Sequence, residues 1–288
     1  MKNISLSGVI FILLATVIWQ CNPNRTVSVG QANLDSAKTT IKTADDFQTS
    51  FDSIHKGIPV FYNMYLSVDM SKLFRVEGSV FNASYLNPVG NVSSYILAGK
   101  KATNLGIYAV DLSYIRAYDQ MEKSRAYFDA MRKISGDLGI PDDFVMKMSD
   151  RFDKNMNHKD SLMKLANEIY RTTDNYLRKN DRSSASMLMI LGGWTEALYL
   201  SSKIAREVPS NMELKSKIAD QKSSLNDLLT VLRESKNDKE IADYLLALEA
   251  LKISFDKLIF DEKNPNVSSA QFDEVIGKIN HLRSRIIN

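Results

Sequence analysis

The feature that most restricts how this chain folds is its scarcity of residues that end helices. Only twelve glycines and six prolines occur in 288 residues, which is about half of their usual share of roughly 12%. Between them, apolar residues recur at steps of three and four, the spacing of one face of an α-helix. Few turns combined with this periodicity favour long helices over many short strands, so we predict an all-α fold.

Apolar periodicity divides the chain into helical segments. The predicted helices cover residues 33–56, 92–138, 142–155, 159–179, 183–207, 211–235, 239–260 and 269–287, with a further apolar segment at 60–74. The stretch from about 75 to 91 has the least regular spacing of apolar residues. Because 92–138 is longer than most globular helices, we expect a break near Gly99, Gly106 or Asp119.

Several helix starts carry capping chemistry. Ser210, Asn237 and Ser268 each stand three residues before Glu or Gln, so their side chains can bind the free amides of a first helical turn. These starts recur at intervals of about thirty residues, which is typical of helix pairs joined by short loops. We therefore predict an antiparallel multi-helix bundle, with a short helical-repeat array as the alternative.

The amino terminus has the composition of an export signal. Lys2 precedes an apolar stretch at residues 8–19, and the only cysteine of the chain, Cys21, follows directly. This arrangement resembles a bacterial lipoprotein signal and predicts a signal peptide at 1–20, a tether at 21–32 and a single helical domain at 33–288. The resemblance implies lipidation of Cys21. The alternatives are ordinary cleavage after residues 30–32 (Gly-Gln-Ala) and an uncleaved anchor.

Sequence motifs for cofactors, metals and nucleic acid were sought next. Neither nucleotide-binding glycine loops nor the GxSxG and HExxH patterns occur. Residues 153–157 (DKNMN) match half of a calcium loop, but His158 and Lys164 replace its glycine and glutamate; we interpret them as a polar turn. With a net charge of +3 and scattered basic residues, we predict no cofactor, no metal and no nucleic-acid partner.

Two acidic residues stand out because they lie in otherwise apolar helices. Asp111 interrupts residues 106–115 (GIYAVDLSYI), and Glu196 interrupts residues 187–200 (MLMILGGWTEALYL). A carboxylate removed from water is costly unless it is hydrogen-bonded or paired, so both need partners. The candidate partners are Tyr108, Tyr114, Trp194 and Tyr199, with the guanidinium of Arg116 or the indole of Trp194 as donors from a neighbouring helix.

These acids allow two interpretations. In the first, they form a satisfied polar network that fixes helix register, with Gly192 and Gly193 at a tight helix crossing. In the second, they line a pocket in the bundle core that takes a cationic or hydroxylated small molecule. The first is structural, and the second allows a binding protein or an unclassified hydrolase.

A family resemblance is carried by LGIYAVDLSY and GGWTEALYL, preceded by Ile58-Pro59 and Leu86-Asn87-Pro88. Over residues 58–205 the chain resembles a group of exported or lipoprotein-type helical proteins from Bacteroidetes. The resemblance implies a bacterial cell envelope, in particular the outer membrane, and supplies no catalytic residue. In such bacteria, Asp35-Ser-Ala and Asp52-Ser-Ile also resemble acceptors for O-glycosylation.

Together these observations predict a membrane-tethered helical lipoprotein. Its expected partners are the lipid bilayer, through the amino-terminal anchor, and another envelope protein, which it binds or scaffolds without catalysis. The alternative hypothesis is a small-molecule-binding protein or hydrolase with its site around Asp111 and Glu196.

Overall fold

The computed structural model describes residues 74–155, 158–258 and 269–288. The predicted signal peptide, Cys21 and the segments 33–56 and 60–73 lie outside the described residues. Within them there are α-helices and two short 3₁₀ turns, Ala83–Tyr85 and Val89–Ser94, but no strand. The α-helices are α1 Ala98–Ala117, α2 Met121–Asp137, α3 Asp142–Asn155, α4 Lys159–Lys179, α5 Ser183–Glu207, α6 Met212–Ala219, α7 Gln221–Glu234, α8 Lys239–Lys257 and α9 Ser269–Ile287. The all-α prediction is confirmed.

The long predicted helix at 92–138 is broken at one of the three expected places. Asp119 has a φ of 60°, a left-handed conformation that ends α1 before α2 begins. Gly139, with a φ of 92°, follows the end of α2, close to the predicted end of this segment at residue 138. The predicted helix at 211–235 was wrong in one respect, because it divides at Asp220 into α6 and α7.

Two of the predicted caps were wrong by one residue. The side chain of Asn211, rather than Ser210, accepts a hydrogen bond of 2.8 Å from the amide of Leu214. Likewise Asp238, rather than Asn237, accepts from the amide of Glu240 at 2.9 Å. Since serine, asparagine and aspartate are all good caps, the spacing to the following glutamate could not decide between neighbours.

Helices α1 and α5 form the centre of the bundle, and nearly all of their side chains are buried. Both begin beside the end of α2, where Lys101 pairs with Asp137 at 3.6 Å and Arg182 donates to the carbonyl of Leu138 at 2.7 Å. Both end beside residues 74–80. Because both helices begin beside the end of α2 and both end beside residues 74–80, the two central helices run in the same direction.

The remaining helices cover this central pair as two groups. Helices α2, α3 and α4 pack together, with α2 and α4 against the central pair, while α7, α8 and α9 form a second group in contact with α5. Helix α9 also contacts α1. The result is the predicted all-α helical bundle.

Glycines allow the two central backbones to touch. A Cβ atom on Gly192 would overlap the carbonyl oxygen of Thr103. A Cβ on Gly106 would overlap the carbonyl of Met189 and lie 2.6 Å from the amide nitrogen of Gly193. The tight crossing predicted from Gly192-Gly193 is confirmed, and it brings the polar groups of α1 and α5 together.

Among the described residues, none of the helices combines the length and the apolar composition required to cross a bilayer.

Candidate functional site

Asp111 of α1 and Glu196 of α5 meet inside the bundle. Both residues have 0% of their surface exposed, and they lie close enough that the charge of Glu196 raises the pKa of Asp111. They come together because α1 and α5 run side by side from the glycine crossing. The two acids that the sequence singled out separately thus belong to one cluster.

The cation of this cluster is Arg283 of α9. Its Nε donates to Oε2 of Glu196 at 2.7 Å, and its Nη2 donates to Oε1 at 3.0 Å. Nη2 also donates to the carbonyl of Tyr85 at 2.8 Å. The Arg283 side chain is only 8% exposed, so this is a buried, two-point ion pair of the kind that holds a guanidinium firmly.

The sequence analysis missed Arg283, although a signal was present. The buried face of α9 includes Val275, Ile276, Ile279, Leu282 and Ile286. Arg283 falls four residues after Ile279, within this apolar stripe, where a basic residue requires a buried acid as partner. Because Glu196 is 87 residues away along the chain, local spacing could not identify that partner.

Asn87 joins the loop before α1 to the cluster. Its backbone N–H donates to Oδ2 of Asp111 at 3.0 Å. Its side-chain amide donates to the hydroxyl of Tyr95 at 3.0 Å and to Oδ1 of Asn104 at 3.1 Å, and its own Oδ1 accepts from Asn91 at 3.0 Å. A stretch that appears irregular in the sequence is therefore fixed by a buried asparagine whose backbone N–H and side-chain amide all have partners.

The predicted aromatic partners are divided between the cluster and its surroundings. The ring of Tyr199 lies against the guanidinium of Arg283, with 4.0 Å between its centroid and Cζ, a cation–π arrangement. The hydroxyl of Tyr108 donates to the carbonyl of Pro88 at 2.9 Å, and that of Tyr114 accepts from the amide of Asn82 at 3.0 Å. Tyr108 and Tyr114 therefore hydrogen-bond to the loop before α1, and Tyr199 contacts the guanidinium of Arg283.

The donors that we expected for the acids have other contacts. Arg116 donates through Nη1 to the sulfur of Met121, and the Trp194 indole N–H donates to Oε1 of Gln221 at 3.3 Å. Arg283 and the backbone of Asn87 occupy the expected positions instead.

Burial dominates the electrostatics of the cluster. It raises the pKa of Asp111 well above its usual value; the charge of Glu196 raises it further, and Arg283 and the Asn87 amide oppose the rise. Burial lowers the pKa of Arg283, but the charge and hydrogen bonds of Glu196 outweigh this effect and raise it overall. Burial also raises the pKa of Tyr108 and Tyr127, so their hydroxyls are neutral.

The arrangement has the properties of a structural polar network. Glu196 uses both oxygens to hold Arg283, and neither acid reaches solvent, whereas acid–base catalysis requires groups within reach of a substrate. Among the described residues, no three His, Cys, Asp or Glu side chains lie close enough together to form a metal site.

No protein-family model, curated protein or solved structure matches this chain.

Proposed function

We propose that this chain is a lipid-anchored helical protein of a bacterial envelope, which binds or scaffolds another envelope component and is not an enzyme. The observation that carries the proposal is the position of its only cysteine. Cys21 stands directly after the apolar stretch at residues 8–19 and before a polar segment suited to a tether. A diacylated cysteine would hold the helical body at a membrane without a spanning helix.

The buried state of the polar cluster supports a structural role for its residues. Glu196 is fully enclosed and ion-paired, and Asp111 is held by the Asn87 amide. Such networks can fix the register of packed helices. A bundle whose helices are held in register in this way suits a binding or scaffold protein.

Lipidation is tested by labelling the full chain in a bacterium that processes lipoproteins, with a clickable fatty acid, followed by membrane fractionation. We expect the wild type to carry the label and to sediment with membranes, and Cys21→Ser to lose the label. The matched control is the double variant Cys21→Ser with Ser28→Cys, which keeps one cysteine but places it seven residues later. This variant should also remain unlabelled. An unlabelled wild type, or a soluble form made equally by wild type and Cys21→Ser, would contradict the anchor.

Binding to an envelope protein is tested by crosslinking the full chain in intact cells and identifying captured proteins. We expect the same protein to be captured repeatedly by the wild type, and its yield to fall when Cys21→Ser removes the chain from the membrane. If no protein is captured while a metabolite co-purifies, the scaffold proposal is overturned.

The second candidate is a small-molecule-binding protein or hydrolase with its site at Asp111 and Glu196. One observation favours it: within the described part of the chain, Oδ1 of Asp111 accepts no hydrogen bond. A cationic or hydroxylated ligand could donate to this oxygen if the loop containing Asn87 moved aside. Native mass spectrometry would test this, because a ligand carried by the wild type should be lost from stably folded Asp111→Asn and Glu196→Gln.

A further inference from the structure

One oxygen atom in the core has no donor. Oδ2 of Asp111 accepts from the Asn87 amide, but within the described residues no N–H or O–H donates to Oδ1. Asp111 is 0% exposed, so water does not reach this oxygen from the surface. Leaving a buried carboxylate oxygen without a donor is strongly unfavourable, and native proteins rarely contain such an atom.

The charges of the cluster are also unequal. Two carboxyl groups, Asp111 and Glu196, face one guanidinium, Arg283, and both hydrogen bonds to the acids from that guanidinium go to Glu196. Burial raises the pKa of the hydroxyls of Tyr95, Tyr108, Tyr127 and Tyr199, on the loop and on α1, α2 and α5, and Asp111 raises it further. Since these are neutral, two ionised carboxylates would leave a net charge of about −1 in a dry core, which is strongly unfavourable.

We propose that Asp111 is a neutral carboxylic acid whose Oδ1–H donates a hydrogen bond to the carboxylate of Glu196. One proton then resolves both anomalies, because it supplies the missing hydrogen bond and makes the cluster neutral. Glu196 can accept it, since each of its oxygens has a second lone pair beside the one directed at Arg283. The site is thus a buried proton-binding site built from α1, α5 and α9.

Asp174 of α4 shows what a buried carboxylate looks like when donors are available. It is 1% exposed, and Nε of Arg178 lies 2.9 Å from its Oδ1 and 3.0 Å from its Oδ2. The hydroxyl of Ser186 also donates to its Oδ1. Both Asp174 oxygens therefore have donors, which makes Asp174 a matched control for Asp111.

Infrared spectroscopy of the purified full chain tests the proposal, because a protonated carboxyl group has a C=O stretching band that a carboxylate lacks. At neutral pH we expect one such band in the wild type and in Asp174→Asn, and its loss in Asp111→Asn. The asparagine amide can donate to Glu196 as the acid does, so Asp111→Asn should fold, as circular dichroism would verify. The proposal is overturned if the wild type has no band at neutral pH, or if Asp111→Asn keeps it.

A second variant covers the case in which Asp111→Asn does not fold. In Glu196→Gln, the glutamine amide can donate to Asp111, and Arg283 then balances a single carboxylate. We expect the pKa of Asp111 to fall because the charge of Glu196 no longer raises it, so the band should disappear at a lower pH than in the wild type. A band with the same pH dependence in the wild type and in folded Glu196→Gln would show that the proton is not shared with Glu196 and would contradict the proposed hydrogen bond.

Discussion

Nε of Arg283 in α9 lies 2.7 Å from Oε2 of Glu196 in α5, and this contact joins residues 87 positions apart in the chain. Among the described residues, Arg283 is the buried cation that pairs with Glu196. The stability of the central helices therefore depends on the packing of α9 against α5. The docked position of α9 is fixed at its end as well, where Lys100 donates to the carbonyl of Arg285 at 2.6 Å and Asn104 to that of Ile286 at 3.0 Å.

Removing the guanidinium of Arg283 should therefore strongly destabilise the folded chain. We expect Arg283→Met to lower the free energy of unfolding by about 3–5 kcal/mol, because Glu196 is left as a buried charge without its partner. Urea unfolding followed by circular dichroism measures the loss. Arg206→Met is the matched control, since Arg206 pairs with Asp273 between the same two helices at 3.0 Å but on the surface, and should cost at most about 1 kcal/mol.

The double variant Glu196→Gln with Arg283→Met completes this test. Because it removes both charges, it should recover part of the stability that Arg283→Met loses. Equal losses in Arg283→Met and Arg206→Met, or strictly additive losses in the double variant, would show that the Glu196–Arg283 pair is not coupled as the distances indicate.

The glycine crossing leads to a prediction that depends on shape alone. Gly192→Ala places a methyl group against the carbonyl oxygen of Thr103, and backbone cannot move aside cheaply, so we expect a loss of about 1–3 kcal/mol or more. Gly136→Ala in α2 has nothing within 4 Å of the new Cβ and should stabilise by up to about 1 kcal/mol, as alanine favours a helix. Thermal or urea unfolding distinguishes the two; similar shifts in both would argue against close contact.

The helices could largely be predicted because their signals are local. Helices α3, α4 and α5 have the predicted bounds, since each has a continuous apolar stripe and a turn at either end. The break at Asp119 was one of three candidates, because φ above zero is tolerated by aspartate as well as glycine. Asp220, where the predicted helix 211–235 divides, carries no comparable signal.

The site could be predicted only in part. Asp111 and Glu196 were recognisable because a carboxylate in an apolar stretch is costly to bury and must have a partner. Their contact with each other, and the choice of Arg283 rather than Arg116, depend on how distant helices pack, which periodicity does not encode. The role of Asn87 was hidden for the same reason, since its partners Tyr95, Asn104 and Asp111 lie 8, 17 and 24 residues away along the chain.

Asn87 provides the next prediction. Asn87→Leu keeps the backbone bond to Asp111 but removes the side-chain amide that donates to Tyr95 and Asn104. Leaving buried polar groups unsatisfied should cost about 1–3 kcal/mol and increase amide hydrogen exchange across residues 86–97. Asn91→Ala, which removes one donor at a half-buried position, should have the smaller effect; a larger effect at Asn91 would mean that Asn87 does not anchor the loop.

The raised pKa of Asp111 gives stability a definite dependence on pH. Its usual pKa is 3.8, and burial raises it well above this in the folded chain, with Glu196 raising it further. Below the unfolded value both states hold the proton, so its stabilising effect is fully present there. As pH rises between the two values, the folded chain binds more protons than the unfolded one, and stability falls by up to about 1.4 kcal/mol per pH unit until Asp111 ionises.

Asp111→Asn cannot release this proton, whereas all other titrating groups remain the same. We therefore expect the free energy of unfolding of the wild type, minus that of Asp111→Asn, to decrease steadily as pH rises from 5 towards the folded pKa, with urea unfolding at each pH as the measurement. Asp174→Asn, which changes a buried carboxyl group of α4 in the same way, serves as the comparison. A difference that instead grows with pH would mean that Asp111 is a stabilised carboxylate, since the folded state would then bind the proton less tightly than the unfolded state does.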